Sequence, residues 1–402
     1  MSDTNKTKGF SSLSLFLIWA GAAISVAEIL SGTALAPLGF FPGLCAIIIG
    51  HLIGGVFLYL AAVMGASMRA SSMESTRYSF GQYGSYVFSG FNILQLIGWT
   101  SIMMLQGSRI FDQITQSLYH YSNPTLWLVG IALCISIWLV FIARQYAGVN
   151  GLVVILLLLV SFIMGVRLIP GFPIHPLEGT WQEITFWQGV ELNIAMCLSW
   201  LPLIGDYTKH AKQTHLGPFW SALGYSVVGS CMFALGLGLS LNTGNTDIGP
   251  MLVASGFGLS ALFIVLFSTV TTTYLDVYSA NDSFLNMYPV QRKKRLSLIL
   301  CFISLIVALL FPLDTVEPFL YLIGSIFSPL YAILFVDYFI IHRPSAQSRG
   351  WDWTNMVLWG IGSVLYYILQ VFAAEISSSL LIFLIVGGCT ALIRRIQMHA
   401  HT

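Results

Sequence analysis

The chain has 402 residues, of which 56% are hydrophobic and only 8% charged, whereas a soluble domain is about one quarter charged. Its mean hydropathy of +0.82 runs along the whole length, which excludes a soluble globule, a soluble domain on a single anchor and a disordered interaction protein. A net charge of +1 provides no concentrated basic surface for nucleic acid, so the expected surroundings are a lipid bilayer.

A spanning helix takes about 20 apolar residues. Suitable stretches fall near 13–36, 43–66, 86–108, 124–143, 147–169, 187–206, 219–241, 258–281, 297–311, 316–341, 355–373 and 379–396. This pattern predicts an all-α membrane protein of about 12 transmembrane helices; the ninth is short enough to be re-entrant instead. The first run, 13–37, is too long for a signal-peptide core and is read as the first helix.

Basic residues test the count independently, because Lys and Arg stay on the cytoplasmic side. With the N-terminus inside, Lys6, Lys8, Arg69, Arg77, Arg144, Lys209, Lys212, Arg292, Lys293, Lys294, Arg295, Arg343, Arg349, Arg394 and Arg395 all fall inside: 15 of the 17 Lys and Arg residues. Only Arg109 and Arg167 fall outside, where the loops carry Asp112, Glu178, Glu183, Asp247, Asp314, Glu317 and Glu375. An even count places both termini in the cytoplasm. The six cysteines lie in apolar runs without CxxC spacing, so they are read as packing residues rather than disulfides or zinc ligands.

The longest polar connections are 67–85, 170–186 and 242–257, too short for a soluble catalytic domain. Function therefore has to reside between helices. A channel would need a polar stripe running through several helices, and an enzyme a catalytic constellation at one interface; neither is visible, and no organic cofactor is implied. A transporter is expected, a single domain over 1–402 with any protein partner unspecified.

Transporter sites often lie where helices break at the midplane. Two spans have that character: Trp19-Ala20-Gly21-Ala22-Ala23-Ile24-Ser25-Val26-Ala27-Glu28 in the first, and Cys197-Leu198-Ser199-Trp200-Leu201-Pro202-Leu203-Ile204-Gly205-Asp206 in the sixth. Pro202 removes a backbone donor and breaks or kinks its helix. Five spans separate the two, an odd offset that inverts the second unit, as in the inverted five-helix repeat of LeuT-type transporters. Spans 1–5 (residues 1–170) and 6–10 (171–342) would form the repeats, and 343–402 two extra helices and a tail. Close helix packing explains small-residue runs as well.

The eighth span carries Ser268-Thr269-Val270-Thr271-Thr272-Thr273-Tyr274, five Ser or Thr hydroxyls in seven residues. Hydroxyls in membrane helices commonly bond carbonyls of their own or adjacent helices. Thr271 and Thr272, about 100° apart on a helix, both reach a ligand only if it sits in the groove between them.

Here the chain resembles the nucleobase/cation symporters, a family that includes cytosine permease and the benzyl-hydantoin transporter. The resemblance runs over nearly the whole length. It rests on Ser-Gly-Thr at 31–33, Arg77-Tyr78-Ser79-Phe80-Gly81, Gly98-Trp99, Gly205-Asp206-Tyr207-Thr208-Lys209, and Thr271-Thr272 with Tyr278. Within the family the chain is most similar to bacterial permeases for hydroxymethylpyrimidine, the thiamine precursor, which implies the inner membrane.

The resemblance implies a Na⁺ site made of the carbonyls of Ala20, Ala23 and Ser268 and the hydroxyls of Thr271 and Thr272, neutral oxygens suited to a hard monovalent cation. It implies a pyrimidine stacked on Trp99, with Gln95 one turn earlier, Ser199 as a polar contact, Trp200 on the other face, and Ser25, Ile24 and Ser268 nearby. Trp99 would otherwise be an interfacial belt tryptophan. Where the cytosine-binding pattern has Asn, Ser and Phe, this chain has Ser268, Met196 and Cys197. That makes a roomier, less polar corner, which fits a substituted pyrimidine. The expected function is Na⁺-coupled import of hydroxymethylpyrimidine. The alternative is proton-coupled transport of cytosine, another nucleobase, or an allantoin- or hydantoin-like compound.

Intramembrane carboxylates read as functional. Glu28 has three readings: an acceptor for a pyrimidine amino group, a carrier of a coupling proton, or a partner for a neighbouring helix. Glu191 falls early in the sixth span, and Asp276 and Asp282 toward the inner end of the eighth. Asp206 with Lys209, and Asp282 ahead of Arg292–Arg295, read as ion pairs at the cytoplasmic face. The eight histidines form no metal motif.

Overall fold

The computed structural model of the chain describes residues 9–142, 146–168, 184–244, 247–254, 256, 258–289, 293–311, 316–342, 349–372 and 376–399. Lys6, Lys8, Arg144, Glu178, Glu183, Arg292, Asp314, Arg343 and Glu375 of the charge analysis lie outside them. The described residues are helical, apart from loops and one bridge between Phe10 and Ala211.

Helix α1 (Ser12–Ala23) is capped by Ser11, whose side chain accepts the Ser14 N–H. It stops at Ile24, and α2 (Val26–Thr33) begins afresh with Ser25 as its cap. The first predicted span is thus broken, with a bend of 52°. Next come α3 (Phe40–Met68), the short α4 (Ser72–Ser75), α5 (Arg77–Tyr119), α6 (Pro124–Ile137) and α7 (Tyr146–Leu168).

The second half repeats the opening break. Helix α8 (Phe186–Ser199) ends at Trp200 and α9 (Leu201–Thr208) restarts with Pro202 in its first turn, where its missing N–H costs nothing. Then follow α10 (Leu216–Thr243), α11 (Ile248–Ala254), α12 (Gly258–Met287), α13 (Lys293–Leu310) and α14 (Glu317–Phe335), and lastly α15 (Trp353–Phe372) and α16 (Ser378–His399).

Helix occupies all twelve predicted positions, but among the described residues eight helices are long and apolar enough to cross a membrane, or nine with the bent α1–α2 pair. Helix α13, the ninth position, is one continuous helix of 18 residues. Two connections are more ordered than loops. A capping box of Ser71 and Glu74 starts α4 inside 67–85, and α11 fills part of 242–257. Arg77–Phe80, expected in a loop, opens α5. That helix kinks at Gly81, whose φ of 78° suits glycine. There the Gln82 and Tyr83 N–H groups turn to the Arg349 and Gly350 carbonyls, 3.0 and 2.8 Å away.

The core forms where α1 packs on α10, α5 on α12 and α3 on α8. Helix α2 crosses α10 so closely that a Cβ at Gly32 would meet the Phe233 carbonyl and one at Gly236 the Ile29 carbonyl. Small residues permit such backbone approach in membranes.

At one end of the bundle, Lys209 pairs with Asp282, and Lys293 lies 3.8 Å from the same carboxylate. Asp206 is not the lysine's ion-pair partner. Its oxygens accept the Ser72 N–H at 2.8 Å and the Ser279 hydroxyl at 2.6 Å, tying α9 to α4 and α12. Glu191 is a buried tie. It accepts from the Tyr366 hydroxyl at 2.8 Å, the Ser379 hydroxyl at 2.7 Å, the Ser379 N–H at 3.1 Å and the Ser377 hydroxyl. Helix α8 is thereby fastened to α15 and α16.

Glu191→Ala strands these donors in an apolar interior. The expected loss is on the order of 3 kcal/mol, with Glu191→Gln milder because it keeps one acceptor. Thermal unfolding of the detergent-purified protein measures both.

Candidate functional site

The two breaks leave backbone groups that a continuous helix would satisfy, and an apolar surrounding makes unsatisfied ones costly. At the first break the Ile24 N–H bonds the Gly21 carbonyl at 3.2 Å rather than that of Ala20, and the Ser25 N–H bonds Ala23 at 3.1 Å. The Ser25 hydroxyl accepts the Glu28 N–H at 3.3 Å, which turns the start of α2 inward.

Side chains support the second break. Gln95 Nε2 donates to the Ser199 carbonyl at 2.8 Å, the Tyr331 hydroxyl to the Leu201 carbonyl at 2.7 Å, and Asn92 Nδ2 to the Pro202 carbonyl at 3.2 Å. Helices α5 and α14 therefore hold the α8–α9 junction open. The Ser199 hydroxyl donates to Met196 at 2.7 Å.

Between the breaks lies a narrow, nearly closed cavity with a free volume of about 10 Å³, lined by Ser25, Ala27, Glu28, Trp99, Met103, Met196, Trp200, Thr272 and Asp276. Five of the residues singled out in the sequence thus meet on one wall system: Ser25, Glu28, Trp99, Trp200 and Thr272. Trp99 is held edge-on by Phe319 with ring centroids 5.3 Å apart, and Trp200 by Trp19 at 5.6 Å. Both indoles are buried, so Trp99 is not a belt residue. Ile24, Gln95, Ser199 and Ser268 stand one residue or one turn from the lining, as do Ala23 and Thr271.

The two threonines divide as their angular separation requires. The Thr271 hydroxyl donates to the Phe267 carbonyl at 2.7 Å and lies 3.2 Å from that of Ser268, whereas the Thr272 hydroxyl is buried without a partner. Helix α12 packs against α1 and α2, which brings this pair to the first break. Among the described residues no three His, Cys, Asp or Glu side chains converge as a metal site.

Asp276, expected toward the inner end of its span, lines the cavity together with Glu28. The signal was present in the spacing, since Asp276 follows Thr272 by four residues and shares its helix face. Met103 follows Trp99 in the same way.

The chain matches a family model described as a permease for cytosine/purines, uracil, thiamine and allantoin over residues 4–350. It belongs to this family. The permease is 21% identical to the cytosine permease of Escherichia coli (strain K12) over 336 residues, 81% of this chain and 74% of that one. Its fold is shared with MHP1, described as a nucleobase-cation-symport-1 family transporter. The TM-score is 0.73 for the closed conformation with bromovinylhydantoin bound, at 17% identity over 98% of this chain and 96% of that one. For the inward-facing conformation it is 0.77, at 16% identity over 97% and 92%. A Na⁺-coupled sialic acid symporter in a substrate-bound outward-open state matches with TM-score 0.65 and 14% identity over 96% and 93%. The chain is thus a membrane transporter of this permease family with the LeuT-type fold, not an enzyme.

Gln95→Leu removes the donor that satisfies the Ser199 carbonyl. We expect a stability loss of about 1–3 kcal/mol, measured as a lowered melting temperature, and weakened substrate binding because Trp200 adjoins the loosened junction.

Proposed function

We propose that this permease is a Na⁺-coupled importer of a pyrimidine, hydroxymethylpyrimidine in particular, in the cell's inner membrane with both termini in the cytoplasm. The observation that carries the reading is the cavity between two broken helices, walled by Trp99 and Trp200, with the unpartnered Thr272 hydroxyl facing it. A flat heteroaromatic ring takes aromatic walls and a few polar contacts, and Ser25, Glu28 and Thr272 supply the latter. Gln95, Ser199, Ile24 and Ser268 would act from just behind this wall. Met196 on the wall, with Cys197 and Ser268 nearby, favours a ring with substituents over bare cytosine.

For the coupling ion, the proposed ligands are the carbonyls of Ala20, Ala23 and Ser268 and the hydroxyls of Thr271 and Thr272. Their fit rests on the redirected Ile24 N–H, which releases the Ala20 carbonyl from its usual helical donor, and on the Thr272 oxygen. Thr271 donates its own hydrogen yet keeps lone pairs to offer. An ion held there bridges the first break to α12, so its binding and that of the substrate next to it are linked. Transport would follow from rocking α1–α3 and α8–α10 against α5, α6, α12 and α13, within repeats at 1–170 and 171–342 and with 343–402 outside them.

The second reading, proton coupling with cytosine, another nucleobase or an allantoin- or hydantoin-like substrate, is favoured by the two cavity carboxylates.

Purified protein in liposomes decides between them. An inward Na⁺ gradient at equal pH should drive uptake of labelled hydroxymethylpyrimidine, and Thr272→Val should raise the half-saturating Na⁺ concentration about tenfold, equivalent to ~1.4 kcal/mol. Uptake that follows a pH gradient and ignores Na⁺ supports the second reading; cytosine preferred over hydroxymethylpyrimidine overturns the substrate assignment. Trp99→Ala should weaken substrate binding about tenfold, in line with an aromatic pair worth ~1.5 kcal/mol, alongside a lowered melting temperature because a buried indole packed on Phe319 is lost; Trp99→Phe, which keeps an aromatic wall, should weaken binding less.

A further inference from the structure

Neutral oxygens suffice for a monovalent cation, and a neutral pyrimidine needs only hydrogen bonds and stacking. Neither accounts for two carboxyl groups, Glu28 from α2 and Asp276 from α12, lining one buried cavity. Both residues are almost wholly inaccessible, at 1% and 2% exposure. Glu28 Oε1 accepts the Tyr225 hydroxyl at 3.1 Å, while its Oε2 is buried without a partner. Asp276 lies one turn beyond Thr272 on the same helix face, and the Thr272 hydroxyl is also buried without a partner. No Lys, Arg or His lines the cavity. The basic side chains near α12, Lys209 and Lys293, are engaged with Asp282, 6 residues beyond Asp276 in sequence.

Two carboxylates that share an apolar cavity cannot both ionise without a compensating positive charge. No basic side chain lines the cavity, and a Na⁺ at the proposed site beside Thr272 would offset only one of the two carboxylates, so the ligand or a proton must supply the rest. We infer that the substrate brings this charge: the Glu28–Asp276 pair is a subsite for the amidine edge of an aminopyrimidine, which binds in its protonated form. The inference rests on the reading of this cavity as a pyrimidine site. The edge formed by a ring nitrogen and the adjacent exocyclic amine presents two parallel N–H donors once protonated. That matches the two oxygens of a carboxylate, the geometry of a bidentate charge-assisted pair.

The two acids divide the work. Glu28 is anchored by Tyr225 and by its place in the first turn of α2, whose N-terminus favours negative charge. Asp276 lines the same cavity from α12, one turn beyond the unpartnered Thr272 hydroxyl, where it meets the ligand. The second acid keeps or releases one proton so that the closed site stays near neutral. The indole faces of Trp99 and Trp200 favour a planar cation over a neutral ring of equal size. Selectivity would then follow ring basicity as well as shape.

The test is isothermal titration calorimetry of the full-length detergent-purified protein, in Na⁺ buffer at one near-neutral pH, with three probes of similar size and rising basicity: uracil, 4-aminopyrimidine and 2,4-diaminopyrimidine. Affinity should rise in that order. Asp276→Asn should weaken binding of the two amino compounds about tenfold or more, the scale of a lost charge-assisted pair, and weaken any uracil binding distinctly less. Glu28→Gln should reduce the preference less. If wild-type protein binds the three probes equally, or prefers uracil, the inference is overturned and the pyrimidine site stands. The same holds if folded Asp276→Asn keeps the order. Should Asp276→Asn fail to fold, the wild-type order and Glu28→Gln still decide. If no pyrimidine binds, the pyrimidine reading itself is overturned, and this inference with it.

Discussion

Every backbone N–H and C=O inside an apolar bundle needs a partner, and this permease has two helices that stop short of supplying them. The ends of α1 and α8 expose polar backbone at places where lipid could not solvate it. Broken backbone persists at membrane depth only where protein or an aqueous cavity surrounds it. At the α8–α9 junction the protein supplies that environment itself through Gln95, Tyr331 and Asn92. At the α1–α2 junction the Ile24 and Ser25 amides bond Gly21 and Ala23, which leaves the Ala20 carbonyl without its usual helical donor. One junction is closed by side chains and the other is free to take a ligand, so the cavity, the aromatic walls and the proposed ion site all follow from the asymmetry between them.

The rest of the bundle keeps those junctions in place. Glu191 fastens the first half of the second broken helix to the C-terminal pair α15–α16, and Asp206 fastens its other half to α4 and α12. The C-terminal helices thus bear directly on an element that frames the site. Helix α2 is set at its depth by glycine contacts with α10. The two ties differ in what they join: Glu191 stiffens α8 against the C-terminal pair, whereas the Asp206–Ser279 bond links α9 to α12, across the two helix groups proposed to rock, and would have to loosen when they separate.

Much of the site was legible because membrane helices are so uniformly apolar that exceptions stand out. Trp99 in mid-span, Pro202 after Trp200, the hydroxyl run around Thr272 and the lone Glu28 were each visible against a greasy background, and five of those singled out share the cavity. Asp276 was visible too as an intramembrane carboxylate, but its i, i+4 relation to Thr272, which puts both on the cavity, was not weighed. Gln95 was legible as a polar residue facing inward, yet its amide supports a backbone carbonyl from another helix. That pairing spans 104 residues of sequence and has no local signature. The exchange of partners at Lys209, which pairs with Asp282 rather than the nearer-in-sequence Asp206, is hidden for the same reason.

Composition and periodicity by themselves determined that this chain lives in a bilayer, that it is helical and that its chemistry lies between helices; they marked two candidate breaks five spans apart, which close helix packing would have explained equally well. The first three are properties of single segments meeting a solvent, and a segment's own residues suffice to settle them. Only the tertiary structure decided which inward faces meet: that Thr272 and not Thr271 turns to the cavity, that α5 holds the second break, and that Glu28 and Asp276, 248 positions apart, share one pocket of space. Helix rotation and depth are set by packing against neighbours, so the partners of a buried polar group are fixed only when the whole bundle closes.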